Sequence, residues 1–197
     1  MTPEDQTSDQ FTWRPVTPER WGELEALFGP SGAYSGCWCM WFRVKRSEWE
    51  ARCANGGSAN RQSLHEIVQR GDVPGILAYA DGQPVGWCSV APREQFPVLD
   101  RSPLFKRRDD EPIWSIVCFY VARSYRSRGA MAFLVRAAVE YARERGGKIV
   151  EAYPRRSDGR LAAASGYVGL LPAFENAGFV EIAQPNATRS IVRYRIT

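Results

Sequence analysis

Two stretches of the chain hold residue types that can do chemistry. The first is Arg126-Ser127-Arg128-Gly129, which separates the apolar run from Ile113 to Val121 from a stretch, Gly129 to Arg145, with apolar residues at helical spacing. The first amides of a helix lack intrahelical partners and its dipole favours negative charge, so such a turn is an anion cradle suited to phosphate. Arg126 and Arg128 add side-chain charge. On residue types alone, phosphate binding and a solvated connection with two surface arginines both remain open. The second stretch is "GCWCMWFR", Gly36 to Arg43, which packs two cysteines, two tryptophans, a methionine and a phenylalanine together. It reads as a metal clip, a reactive thiol site, a pocket wall or ordinary core. A zinc site assembled from Cys37, Cys39, Cys53 and His65 is disfavoured, because C-x-C is not the spacing that closes around zinc. A cysteine nucleophile is equally weak, since His65 is the chain's one histidine and falls in an expected helix. We therefore expect no metal, and a segment divided between pocket and core. If extended, it turns Cys37, Cys39 and Trp41 one way and Trp38, Met40 and Phe42 the other.

The rest of the composition narrows the setting. A chain of 197 residues, 44% hydrophobic and 24% charged, suits one soluble globular domain. We expect a disordered lead over residues 1–10 and a single domain over 11–197. The formal charge of +4 is modest and spread along the chain, which favours a small anionic ligand over nucleic acid. The longest apolar run, Ile116 to Ala122, is far short of a membrane span, and the acidic N-terminus has no signal-peptide core. Five irregularly spaced cysteines argue against a disulfide framework and for reduced thiols in a cytoplasm.

The elements that must position the two stretches follow from pattern. "FTWRPVT" is a strand, and Thr17-Pro18 opens a helix that ends at Gly29-Pro30. Ser47-Glu48-Trp49-Glu50 matches a capping box, and a further helix spans about Ala59 to Arg70. Asp81-Gly82 between apolar runs is a hairpin turn. A long excursion with two prolines follows, and then the buried strand "IWSIVCFYV". In the helix after the Arg126–Gly129 turn, Met131, Leu134, Val135, Ala138 and Ala142 share a face. "KIVEAY" is the next strand, a helical stretch closes at Gly178, and "FVEIA" and "SIVRYRI" pair at the end. The order is mixed α/β around one sheet, with a β-α-β crossover in the second half.

At this junction the sequence resembles the GNAT N-acetyltransferases. Their acetyl-CoA motif, Arg/Gln-x-x-Gly-x-Gly/Ala, is matched at Arg126 and Gly129 and departs at Met131. "AFENAGFVEI" is similar to their closing "FYExxGF" helix and strand. The arrangement also resembles a bacterial subgroup with a cysteine- and tryptophan-rich N-terminal part. The resemblance implies an α/β (α+β) fold: a largely antiparallel twisted sheet, splayed between its fourth and fifth strands and flanked by helices. It implies acetyl transfer from acetyl-CoA to a small amine, with a non-catalytic acyl-CoA-binding module as the alternative. A homodimer is compatible with it.

The resemblance also implies roles. Backbone at Phe119, Tyr120 and Val121 would hold the pantetheine arm and the thioester carbonyl. Amides across Arg126, Ser127, Arg128, Gly129, Ala130 and Met131 would take the pyrophosphate. Phe174 stands where many relatives place the tyrosine acid and would line the cofactor side, leaving Tyr120, Tyr153 and Tyr167 as substitutes. Glu151, on the strand expected beside "IWSIVCFYV", is the candidate base, or else a carboxylate paired with an arginine. The region after the first helix covers the acceptor side of such folds, so Tyr34, Trp38, Trp41 and Phe42 would wall the acceptor. Arg43 would recognise a carboxylate on it.

Overall fold

The computed structural model describes residues 10–156 and 167–197. The expected disordered lead lies outside them except for Gln10. Within them seven strands form one sheet: β1 (Thr12–Pro15), β2 (Ile76–Ala80), β3 (Gln83–Pro92), β4 (Trp114–Val121), β5 (Ile149–Ala152), β6 (Val180–Asn186) and β7 (Arg189–Arg195). Their order is β1-β2-β3-β4-β5-β7-β6, and each neighbouring pair except β4–β5 is antiparallel. Among the described residues six α-helices surround it: α1 (Trp21–Phe28), α2 (Trp49–Cys53), α3 (Ser58–Gln69), α4 (Pro97–Arg101), α5 (Ala130–Glu144) and α6 (Leu171–Glu175). The mixed α/β sheet and its crossover unit, β4-α5-β5, are as the sequence pattern predicts. Two local expectations differ. Ser47 lies inside a 3-10 turn and makes no capping bond to α2. The excursion after β3 is not a bare loop, because it contains α4 and buries Phe96 and Leu99.

The sheet separates two apolar layers. Leu134, Val135, Ala138 and Ala142 of α5 pack on one face with Cys88, Ile116 and Val150. α1, α3, α4 and the segment 38–42 cover the other face, over Leu77, Trp87 and Val117. Period-2 alternation assigns each strand residue to a layer, but β4 breaks it. Ser89 of β3 opposes Cys118, while its neighbour Val90 opposes Ile116. Val117 is therefore an extra residue, and this bulge resets the alternation. Cys118 and Tyr120 turn toward the α1–α3 layer, and Phe119 and Val121 toward α5.

The splay between β4 and β5 has an equally local origin. Parallel pairing runs through Trp114↔Val150, Ser115↔Glu151 and Ile116↔Ala152 and then stops. Beyond Ala152 the chain meets Pro154, which has no amide proton to continue a ladder. It bonds instead to the segment before α6: the Arg155 amide donates to Gly169 O (3.0 Å) and the Leu171 amide to Arg155 O (3.0 Å). The second half of β4 is left with one paired edge. Phe174 of α6 sits edge-on to Phe119 (centroids 6.0 Å) and fills the space on the α5 side of the opening.

Candidate active site

β4 ends in a 3-10 turn, Arg123–Tyr125, and the chain then enters α5 through two residues in the left-handed region, Ser127 (φ 62°) and Gly129 (φ 83°). For serine that conformation is uncommon; for glycine it carries no steric penalty. The Arg126 Nε donates to Val121 O (3.1 Å), tying the turn to the strand end. The first amide of this region with a helical partner is that of Phe133, which bonds Gly129 O (3.0 Å). Among the described residues the amides of Ser127 to Ala132 meet no acceptor. A curved row of free donors at the positive end of a 15-residue helix suits a polyanion such as a pyrophosphate.

A cavity of ≈ 1020 Å³ begins at this turn and runs along the open end of β4. Phe119, Tyr120, Val121, Arg126 and Met131 line it on one side; Tyr34, Cys37, Cys39, Trp41, Phe42, Trp49, Glu50 and Cys53 line it on the other, with Cys118 and Tyr167 between. Segment 36–43 is not extended. Trp38 and Cys39 have positive φ (44° and 53°), and the Met40 amide bonds Cys37 O in a turn. Cys37, Cys39 and Trp41 nevertheless share the cavity side, while Trp38 and Met40 enter the core; Phe42, which alternation sets with Trp38 and Met40, lines the cavity instead. Close backbone packing fixes the segment: a Cβ on Gly57 would lie 2.1 Å from Gly36 O, and the buried Asn60 side chain donates to that same oxygen (2.9 Å). The Trp87 indole N–H donates to Cys39 Sγ (2.9 Å), whose sulfur lies 3.2 Å from that of Cys118. All five cysteines are free thiols. Burial pushes the Cys37 thiol up to about 12, so it stays protonated at neutral pH.

Several expected site residues stand elsewhere. Glu151 is not a free base. It is 3% exposed and its carboxylate accepts from Arg93 (3.0 Å), Arg193 (2.8 Å) and the Tyr153 hydroxyl (2.7 Å). Of the two roles open to it, arginine pairing is the one the contacts match, with Arg93 and Arg193 rather than Arg126 or Arg155. Tyr153 is 1% exposed and receives Arg93 (2.6 Å), so its hydroxyl is committed to the same network outside the cavity. Burial, with the Glu151 charge beside it, pushes the Tyr153 phenol well above its ordinary value. Trp38 is core: its indole N–H donates to Gly56 O (3.1 Å) and its ring stacks on Trp21. Arg43 turns inward, with its guanidinium over Phe96 (4.3 Å) and donating to Gln95 and to Pro74 O. Burial pulls it down to about 10, against the nearby charge of Asp72, and it stays charged at neutral pH. Phe174 is fully buried and does not line the cavity.

The sequence reading did not assign Trp49, Glu50 or Cys53 to the site. Their helix, α2, is five residues long, and nothing in its pattern tells which face meets a cavity. Tyr167 lines the cavity beside Arg189, whose guanidinium burial holds below its usual range while a hydrogen bond to Tyr167 opposes the shift. Among the described residues, no cluster of three or more His, Cys, Asp or Glu is placed to hold a metal, and no helix is long and apolar enough to cross a membrane.

A splayed β4–β5 pair with a free-amide turn at the head of the crossover helix is a recognisable arrangement, and a family model tests it directly. The model of the acetyltransferase (GNAT) family matches residues 39–168. The chain belongs to this family. Solved GNAT structures superpose along nearly all of it. An acetyltransferase of the family from Streptococcus agalactiae aligns with TM-score 0.55 at 12% identity, over 95% of this chain and 96% of that one. The PaiA N-acetyltransferase from Thermoplasma acidophilum, in complex with coenzyme A, gives 0.53 at 12%, over 94% and 99%. A ribosomal-protein-alanine N-acetyltransferase from Brucella melitensis gives 0.51 at 20%, over 94% and 99%. At these identities the GNAT neighbours share the fold and say nothing about the acceptor. No curated protein matches the chain in sequence.

Proposed function

We propose that this GNAT protein transfers the acetyl group of acetyl-CoA to a primary amine. The observation that carries the reading is one continuous cavity joining the free-amide turn and the open end of β4 to an aromatic wall on the opposite side. Bound acetyl-CoA supplies an activated acetyl thioester. The amides from Ser127 to Ala132 fit its pyrophosphate, Arg126 adds charge at the turn, and the unpaired edge at Phe119–Val121 offers backbone groups to the pantetheine arm. Met131, in place of a small residue, lines the same cavity and leaves these main-chain donors in place.

Amine acylation needs a neutral nucleophile, a polarised carbonyl and a proton for the departing thiolate. Tyr120 and Tyr167 are the tyrosines whose placement suits the last task. Glu50 is the carboxylate in the lining available to an ammonium and to its proton. Five free thiols and a coenzyme A substrate fit a cytoplasmic enzyme. The test is calorimetry with acetyl-CoA, followed by thiol release in the presence of amines. Binding in the micromolar range with amine-dependent release supports transfer. Binding without release from any amine leaves the acyl-CoA-binding module, and absence of binding removes both.

A further inference from the structure

Cys37, Cys39, Cys53 and Cys118 are free thiols on the lining of one cavity. Two of them meet. Cys39 Sγ and Cys118 Sγ lie 3.2 Å apart, although 79 positions separate them in sequence. Two backbone irregularities bring them together. The bulge at Val117 turns Cys118 to this face of the sheet, and the left-handed conformation of Trp38 and Cys39 (φ 44° and 53°) places Cys39 opposite it. The indole of the fully buried Trp87 can only donate, so its N–H, 2.9 Å away, makes Cys39 Sγ an acceptor. Such a hydrogen bond favours the charged form of the sulfur, and thiolate is the form that reacts with oxidants. The Cys118 thiol is pushed well above its ordinary value, first by its hydrogen bond to Cys39 and then by burial, so it enters the chemistry with its proton in place.

We propose that Cys39 and Cys118 are a redox-active pair, which a peroxide converts into a disulfide that shuts the acceptor side and a small dithiol reopens. The Cys39 thiolate attacks one peroxide oxygen and the O–O bond breaks. The departing hydroxide takes up the proton Cys39 released, leaving water and a sulfenic acid on Cys39. The Cys118 sulfur then attacks the sulfenic sulfur, the S–O bond breaks, and hydroxide leaves with the Cys118 proton as a second water. The two thiols together lose two electrons and two protons, and one peroxide is reduced to two waters. The sulfurs have to approach by only about 1 Å to reach bonding distance. The bond fastens the wall segment 36–43 to β4 one residue before Phe119. On the acetyl-transfer reading, that is where the amine must pass between the wall and the thioester. The free-amide turn from Ser127 to Ala132 lies outside the link and still holds coenzyme A.

The test treats reduced full-length protein with hydrogen peroxide and reads intact mass and proteolytic peptides. We expect the loss of two hydrogens and a peptide joining Cys39 to Cys118, both reversed by dithiothreitol. Cys37→Ser should form the same link, which distinguishes Cys39 from the cysteine two residues before it. Cys39→Ser and Cys118→Ala, checked for folding by circular dichroism, should not form it. Trp87→Phe keeps a ring but removes the N–H, and should slow the reaction about tenfold. By calorimetry the linked protein should bind coenzyme A as the reduced protein does. Its amine acetylation, read by mass spectrometry, should fall about tenfold or more and return with dithiothreitol. Oxygen addition without a link, a link to Cys37 or Cys53 instead, or a linked protein that acetylates as fast as the reduced one overturns the proposal. Reduced protein that acetylates no amine defeats the transfer reading, while the mass measurement still decides whether this pair closes.

Discussion

Glu151 shows how a residue's neighbours decide its chemistry. On the sequence it is a carboxylate on the strand beside the reaction centre; in the fold it is the shared counter-charge of Arg93 and Arg193, which are themselves 0% and 7% exposed. Removing the buried member leaves the two guanidinium groups only their outer partners, Asp100 and Asp109. Glu151→Gln should therefore cost about 3–5 kcal/mol, read as a lowered urea midpoint. If Glu151 were the base, the same variant would keep its stability and lose kcat instead. The phenols in the cavity carry the converse expectation. Tyr120→Phe and Tyr167→Phe remove a proton donor without removing a ring. The residue acting as acid should lose about a hundredfold in kcat with acetyl-CoA affinity intact, and its partner should lose little. Trp38→Ala should cost about 3–5 kcal/mol in stability, as large core truncations do, without the rise in acceptor KM expected of a wall residue.

At the scale of elements, the functional geometry comes from two small irregularities. The bulge at Val117 turns Cys118 and Tyr120 to the cavity face, and the departure of the chain at Pro154 leaves the end of β4 uncovered. A third is the left-handed entry into α5. Gly129→Val would place a β-branched residue at φ 83°, a conformation that costs such residues about 1–3 kcal/mol. The turn would relax and its amides would no longer converge. Calorimetry should show acetyl-CoA binding weakened about tenfold or more, with α5 still helical by circular dichroism. Unchanged affinity would mean that the pyrophosphate is held elsewhere.

For the whole molecule, burial of thiols sets the alkaline limit. Cys37, Cys53, Cys88 and Cys118 are all pushed above the ordinary thiol value of 9.0, Cys37 to about 12, chiefly by burial except at Cys118, where the hydrogen bond to Cys39 leads. Between these values the unfolded chain gives up protons that the folded chain keeps, so stability is intact below pH 9 and falls as pH rises above it. Chemical denaturation at pH 7, 9 and 10.5 should show the decline, and replacing Cys88 by alanine should flatten it.

Hydrophobic periodicity and turn residues were enough to read the strands, the long crossover helix, the hairpin at Asp81-Gly82 and the mixed sheet, because these depend on spacing within one segment. The Arg126–Gly129 turn was legible for the same reason: strand, glycine and helix adjoin in sequence. The acceptor side was legible only in part. Residues at 37, 39 and 41 share a side as alternation suggests, but Phe42 joins them against it, and no local pattern tells that Trp38 meets Trp21, that Arg43 folds under Phe96, or that α2 closes the wall with Trp49 and Glu50. Those are contacts between segments far apart in the chain, and so is the pairing of Glu151 with Arg93 and Arg193. Sequence determined which groups the protein has; tertiary packing decided which are neutralised by partners and which are left facing a cavity, since both depend on neighbours that only folding supplies.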